Sequence, residues 1–183
     1  MRVTSLSIGA NYSTGDVVTD ANLPVKDASA KVGTLVVGLA RSFSLFGLTA
    51  QAYGSIPFTK ATASGELNGE RRSQERSGTS DMRLRFSVLL RGAPATALKD
   101  FGKRKSGRAI LGTSLTIQAP TGQYFPDKLI NLGTGRWAFK PEFAISQPIQ
   151  KRWLLDLYTA VWLFTNNNSY YSGAALRKQN PGG

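Results

Sequence analysis

The ten residues from Met82 to Arg91 alternate apolar and polar side chains with a period of two. The apolar positions are Met82, Leu84, Phe86, Val88 and Leu90. The intervening positions are Arg83, Arg85, Ser87, Arg91 and one exception, Leu89. Because successive side chains of a strand point to opposite faces, this pattern predicts a β-strand with one apolar and one basic face.

The same alternation recurs along the chain. Candidate strands lie near 2–12, 30–41, 46–58, 80–91, 108–119, 136–147 and 153–165. Most exceed the roughly 5–6 residues of an ordinary globular strand and fit the roughly 9–11 residues of a tilted membrane strand. The last candidate is the weakest, since it is apolar on both faces except at Asp156. We therefore predict an all-β fold, an antiparallel up-and-down meander that forms a transmembrane β-barrel.

The predicted connections and the aromatic residues agree with this fold. The long polar connections are 13–29, 59–79 and 120–135, the short ones are 42–45 and 148–152, and 92–107 is intermediate. A meander puts alternate connections at opposite ends, and long loops at one end with short turns at the other are typical of outer-membrane barrels. Aromatic residues near strand ends match interfacial girdles. They are Tyr12, Phe58, Trp137, Phe139, Trp153 and Phe164.

The composition removes the commonest catalytic chemistries. The 183 residues include no cysteine and no histidine. Thiolate metal sites, the usual zinc sites and a Ser-His-Asp triad therefore lack a required residue, and we expect no enzyme, no metal and no cofactor. The net charge of +12 suits an anionic solute, an anionic surface or nucleic acid. The basic cluster 103–105 lacks the interleaved aromatics of a stacking platform, so we expect no nucleic-acid partner.

An ordered motif occupies the second half of the chain. Ala119–Asp127 (APTGQYFPD) is followed by Leu129–Trp137 (LINLGTGRW), Phe139–Glu142 (FKPE) and Trp153–Tyr158 (WLLDLY). This pattern resembles the MetA-pathway of phenol degradation family of outer-membrane transporters. The resemblance implies a monomeric barrel in the Gram-negative outer membrane that takes up aromatic or other small hydrophobic compounds. Its motif-loop residues in this sequence are Pro120, Gly122, Tyr124, Asp127, Asn131, Gly133 and Trp137.

The resemblance also bears on domain organisation. Family members are longer, carry a signal peptide and continue with further strands. About seven strands are predicted here, whereas single-chain bacterial barrels have an even number from 8 upward. We therefore expect residues 1–183 to be a single β-barrel domain that is a fragment of a longer barrel.

Charged residues on the predicted strands are the candidate lumen-lining residues. They are Arg83, Arg85, Arg91, Arg136, Lys140, Glu142 and Asp156. An arginine on the lipid face near the midplane costs roughly 2–4 kcal/mol, so the three arginines of strand 80–91 are predicted to face the lumen. Two interpretations stay open. A basic lining favours anions or organic acids, whereas ion pairing with Glu142 or Asp156 only stabilises the interior.

The turn-rich segment 120–135 also has two interpretations, an inward constriction or a packed external loop. The pattern as a whole predicts a channel for passive uptake of small solutes, with aromatic or organic-acid compounds as candidates. Its partners would be the solute and the lipid bilayer. The alternatives are a soluble β-barrel or sandwich that binds a hydrophobic ligand or an acidic partner, and a structural barrel with no transport role.

Overall fold

The structure is a computed structural model that describes residues 2–16, 25–67, 69–95, 108–128, 130–149 and 152–167. All regular structure within these ranges is β-strand. The strands are β1 (Val3–Asp16), β2 (Val25–Leu45), β3 (Leu48–Leu67), β4 (Glu70–Thr79), β5 (Arg83–Pro94), β6 (Ile110–Gln118), β7 (Ala138–Ile149), β8 (Trp153–Ala160) and β9 (Leu163–Phe164). Across the same ranges, no helix has the length and apolar character needed to cross a bilayer.

The strands form one antiparallel sheet in the order β1-β2-β3-β5-β6-β7-β8. β4 and β5 both pair with β3, β4 along Phe58–Leu67 and β5 along Leu48–Ser55. β4 and β5 therefore run end to end beside β3, and we count them as one strand path interrupted at 80–82. β8 and β9 follow β7 in the same way. The result is a meander of seven strand paths, which confirms the predicted all-β antiparallel fold, and the described sheet is open between its edges β1 and β8.

One predicted loop is instead a strand pair. Segment 59–79 forms the ends of β3 and β4, which pair from Phe58–Thr79 to Leu67–Glu70 around a turn in which Gly69 has a φ of +85°. Charged side chains occupy both faces of β4, so no apolar stripe marked it as a strand in the sequence. β2 and β3, with 21 and 20 residues, are consequently about twice as long as a membrane strand requires.

The opposite end of the sheet carries short turns. Leu45 and Leu48 pair around a two-residue turn in which Phe46 and Gly47 have φ values of +49° and +78°. Two consecutive positive φ angles are the geometry that matches the twist of a tight hairpin. The short turn predicted at 42–45 is thus displaced by a few residues. Most of the predicted connection 92–107 lies outside the described residues.

Cross-strand register gives the sheet two chemically distinct faces. One transverse row consists of Leu6, Leu39, Gly54, Leu84, Ile117 and Phe139, and we call its side the apolar face. The neighbouring row consists of Ser5, Ala40, Tyr53, Arg85, Thr116 and Lys140, and we call its side the polar face. On the apolar face, large side chains lie open, with Leu6 and Ile8 each 68% exposed.

Arg91 corrects one prediction about these faces. Leu89 pairs with Gly112 but Arg91 pairs with Leu111, so Leu90 is an extra residue in the strand. Such a β-bulge shifts the alternation by one position. Arg91 is therefore opposite Leu111 of the apolar face, at the short-turn end. The prediction that it shares a face with Arg83 and Arg85 is wrong.

Candidate functional site

A charged network lies on the polar face where β5, β6 and β7 run side by side. Arg85 Nη2 is 3.3 Å from Glu142 Oε1, and Lys140 Nζ is 3.0 Å from Glu142 Oε2. The Arg85 guanidinium also donates from Nε and Nη2 to the Ser114 hydroxyl. Glu142 is the most sheltered member, with its side chain 16% exposed against 49% for Arg85. One carboxylate therefore joins two cations from separate strands.

Arg83 stands one pleat further along the polar face, towards the long-connection end. Its Nε donates to Gln118 Oε1 at 3.2 Å, across the β5–β6 pair. The arginine is exposed, and this bond occupies one of the five N–H donors of a guanidinium. Gln118, at the end of β6, thus orients the Arg83 guanidinium through this one bond.

Two basic side chains of β7 and the loop before it lie over aromatic rings. Arg136 Cζ is 4.5 Å from the centre of the Phe164 ring, and Lys140 Nζ is 5.3 Å from that of Trp162. These two rings are themselves stacked at 5.9 Å. Cation–π contacts of this kind hold a cation in place without neutralising it. The sequence analysis missed Trp162, which has no motif to mark it.

Asp156 lies apart from this group. Its register partner is Ser146, four residues along β7 from Glu142 and nearer to the short turns. The structure thus brings together Arg83, Arg85, Lys140 and Glu142, with Arg136 beside them at the long-connection end. It leaves Asp156 and Arg91 outside the group.

The motif loop, residues 119–137 between β6 and β7, is held by a residue that the sequence analysis missed. Asp81, in the interruption between β4 and β5, is 5% exposed. Its Oδ1 accepts a hydrogen bond from Gly122 N at 2.9 Å, and its Oδ2 accepts from Thr134 N at 2.9 Å and Thr134 Oγ1 at 2.6 Å. Gln118 Nε2 donates to the same Oδ2 at 3.1 Å. A carboxylate thus fixes both arms of the loop.

Gly122 and Gly133 allow this close approach. A Cβ on Gly122 would lie 2.8 Å from Gly133 Cα and from Asp81 N. A Cβ on Gly133 would lie 2.8 Å from the Gly122 carbonyl and 2.9 Å from Asp81 Oδ1. Only glycine fits at both positions, because most of the contacted atoms are backbone. The two motif glycines therefore let the two arms of the loop pack closely against each other and against Asp81.

Asn131 and Tyr124 organise the rest of the loop. Asn131 Oδ1 accepts from Phe125 N at 2.7 Å, and its Nδ2 donates to the carbonyls of Phe125 and Lys128. The Tyr124 hydroxyl accepts from Asn167 Nδ2 at 2.8 Å, and the same Nδ2 reaches Thr134 O at 3.2 Å. These bonds give both motif residues a structural role in the loop.

The remaining motif residues lie at the loop surface. Pro120 is exposed directly after β6. Asp127 pairs with Lys128 Nζ at 2.9 Å, and this hydrogen bond lowers the pKa of the Asp127 carboxyl. Trp137 is half-exposed, and its ring stacks on Phe139 at 6.4 Å. An exposed ion pair contributes little to stability, so a substitution at Asp127 should leave the stability of the protein almost unchanged.

An antiparallel meander with a bare apolar face and a charged opposite face is the wall of a β-barrel of the membrane type. The family described as "Putative MetA-pathway of phenol degradation" matches residues 10–178, and the chain belongs to this family. The match covers the motif loop, the strand paths after it and all five strand paths before it, beginning within β1. The resemblance noted in the sequence is thereby confirmed.

A solved structure shares the fold. The crystal structure of the COG4313 outer membrane channel from Pseudomonas putida F1 superposes with a TM-score of 0.67 at 20% sequence identity. The superposition covers 97% of this chain and 61% of that channel, so this chain spans less than two thirds of the channel's length. A comparison with curated protein sequences gave no significant match.

Proposed function

We propose that the chain forms part of the wall of an outer-membrane channel through which small anionic solutes pass, with aromatic and organic acids as the favoured class. The family's association with phenol degradation and the fold shared with an outer membrane channel support this proposal. In this view residues 1–183 belong to one barrel domain, which acts as a monomer in the Gram-negative outer membrane.

The distribution of apolar side chains supports a lipid environment. The buried hydrophobic residues of the described ranges are Ala50, Ala61, Ala93 and Ala138. Many large apolar side chains are instead exposed along the apolar face, whereas soluble monomers rarely expose extended apolar surfaces. A soluble binder would need these side chains in a core, so the soluble alternative is the weaker of the two.

The charge of the polar face is the observation that carries the solute class. Arg85 and Lys140 pair with one carboxylate, Glu142, and Arg83 lies one pleat further along the same face, so three positive charges against one negative leave the group at +2. A cleft with low-dielectric walls and one sign of charge concentrates solutes of the opposite sign. Pairing with Glu142 fixes Arg85 and Lys140 in place, and the exposed Arg83 fork then offers donors to a carboxylate.

The double variant Arg83→Glu/Arg85→Glu is expected to turn the channel from anion towards cation preference. Two charge reversals change the group from +2 to −2, since Lys140 then faces three carboxylates. The measurement is the reversal potential of single channels in a salt gradient. The sign of that potential should invert.

Arg91→Glu provides the matched control, because the bulge places Arg91 on the apolar side at the short-turn end. It makes one such charge reversal outside the proposed lumen and should leave the reversal potential near its original value. Unchanged selectivity in the double variant would remove Arg83 and Arg85 from the mechanism.

Membrane placement is tested separately by cell fractionation and a heat-modifiability gel on the full-length protein. We expect it in the outer-membrane fraction, with a band that changes mobility on boiling as closed barrels do. A soluble product with no shift would refute the membrane proposal and leave the soluble binder as the hypothesis to test.

A further inference from the structure

We propose that Asp81 is a positioning residue that clasps the motif loop over the polar face, so that the loop forms the constriction of the channel at its long-connection end. The proposal rests on the channel function proposed above. It assigns a role to Asp81, which lies outside the motif.

The contacts of the loop place it on the polar side of the sheet. Arg76 and Gly78 alternate with residues of the apolar face along β4, in the same phase as Arg83 and Arg85. Arg76 Cζ is 5.2 Å from the centre of the Phe125 ring, and a Cβ on Gly78 would collide with the Gln123 side chain. Gln123 N also donates to Thr79 O at 3.0 Å. The part of the loop that contains Gln123 and Phe125 thus lies against β4, on the same face as Arg83 and Arg85.

The bonds of Asp81 favour the docked loop specifically. Three of its four hydrogen bonds cross from the wall to the loop, two to Thr134 and one to Gly122. The fourth, from Gln118, stays within the wall because Gln118 ends β6. If the loop left the wall, the carboxylate would lose three donors at once. A buried carboxylate needs such donors, so the charge of Asp81 resists undocking.

The identity of the side chain matters as much as its place. All four groups that bond to it are donors, and a carboxylate offers only acceptors. An asparagine has the same shape but turns one oxygen into an NH₂ group, which would face a donor from Gly122 or Thr134. Asp81→Asn therefore weakens the hydrogen bonds that hold the loop, with minimal change in side-chain volume.

The test compares Asp81→Asn with Asp127→Asn in the full-length protein. Asp127 is the matched control, since it lies in the same loop, loses the same charge and has only an exposed bond to Lys128. Single-channel recording gives conductance and current noise. The position of the loop is measured independently by the rate of disulfide formation in the double variant Gly78→Cys/Gln123→Cys. The 183 residues contain no other cysteine that could form a competing disulfide.

We expect Asp81→Asn to raise conductance or current noise and to slow formation of the 78–123 disulfide, while Asp127→Asn leaves the current noise and the disulfide rate unchanged. Once formed, the disulfide should restore the original conductance in the Asp81→Asn background, and reduction should abolish this rescue. A general loss of structure would not be repaired by one cross-link. If Asp81→Asn and Asp127→Asn give the same current noise and the same disulfide rate, the clasp is refuted.

Two further arms keep the result decisive. If Asp81→Asn loses its heat-modifiable band and does not fold, Thr134→Val is measured instead, because this variant removes only one of the four hydrogen bonds to Asp81. A change in the same direction supports the clasp. Unchanged conductance, noise and disulfide rate overturn the clasp. If the original protein shows no channel current, the channel proposal fails, and the disulfide rates still decide whether Asp81 holds the loop.

Discussion

Phe86→Arg is expected to lower the stability of the folded barrel by roughly 2–4 kcal/mol, the cost of an arginine at the lipid-facing midplane. Phe86 lies on the apolar face between Ala52 and Leu115, and its ring centre is 6.1 Å from that of Phe43. It is also central in the alternating stretch of β5. The measurement is the urea dependence of the heat-modifiable band in lipid vesicles.

The neighbouring residue supplies the control. Ser87 follows Phe86 on the same strand but faces the polar side, opposite Gln51 and Ser114. Ser87→Arg adds the same side chain to the proposed lumen and should cost much less. Equal losses in the two variants would contradict the assignment of lipid and water to the two faces.

Gly122→Ala is expected to displace the motif loop and to destabilise the protein by about 1–3 kcal/mol, the usual cost of overpacking. The new methyl group would lie 2.8 Å from Asp81 N, Gly133 Cα and the carbonyl carbon of Ser80. All three are backbone atoms, two on the wall side and one in the opposite arm of the loop, so none can move aside cheaply. Protease sensitivity within 119–137 and the urea midpoint report the two effects.

Gly9→Ala is the comparison for this substitution. A Cβ on Gly9 in β1 meets nothing within 4 Å, so the same addition should be tolerated. If Gly122→Ala behaved like Gly9→Ala in both assays, the close packing of the loop against Asp81 would be wrong.

The sequence predicts the strands well where one face is apolar and the other polar. Period-two alternation is a strong constraint, because a slip of one residue would expose polar groups to lipid along a whole strand. It fails for 59–79, where β4 carries charge on both faces, as in Arg71 and Arg72. It also fails at Arg91, because a single extra residue at Leu90 changes the phase without any local sequence signal.

The candidate site is predicted only in part. Arg83, Arg85, Lys140 and Glu142 follow from alternation, and Glu142 forms ion pairs with Arg85 and Lys140 of the kind that one of the two interpretations describes. The position of the loop does not follow, since it depends on Asp81, whose partners Gly122 and Thr134 are 41 and 53 residues away. Contacts of that range leave no periodic trace in the sequence.

The β3–β4 hairpin has a consequence for how such a protein meets its surroundings. Between Phe58 and Leu67, β3 carries only small, polar or charged side chains, over a rise of about 30 Å at about 3.3 Å per residue. In the proposed barrel, the end of the β3–β4 hairpin therefore extends beyond the lipid headgroups. The hairpin turn would then be accessible from outside the cell, away from the lipid-facing part of the sheet.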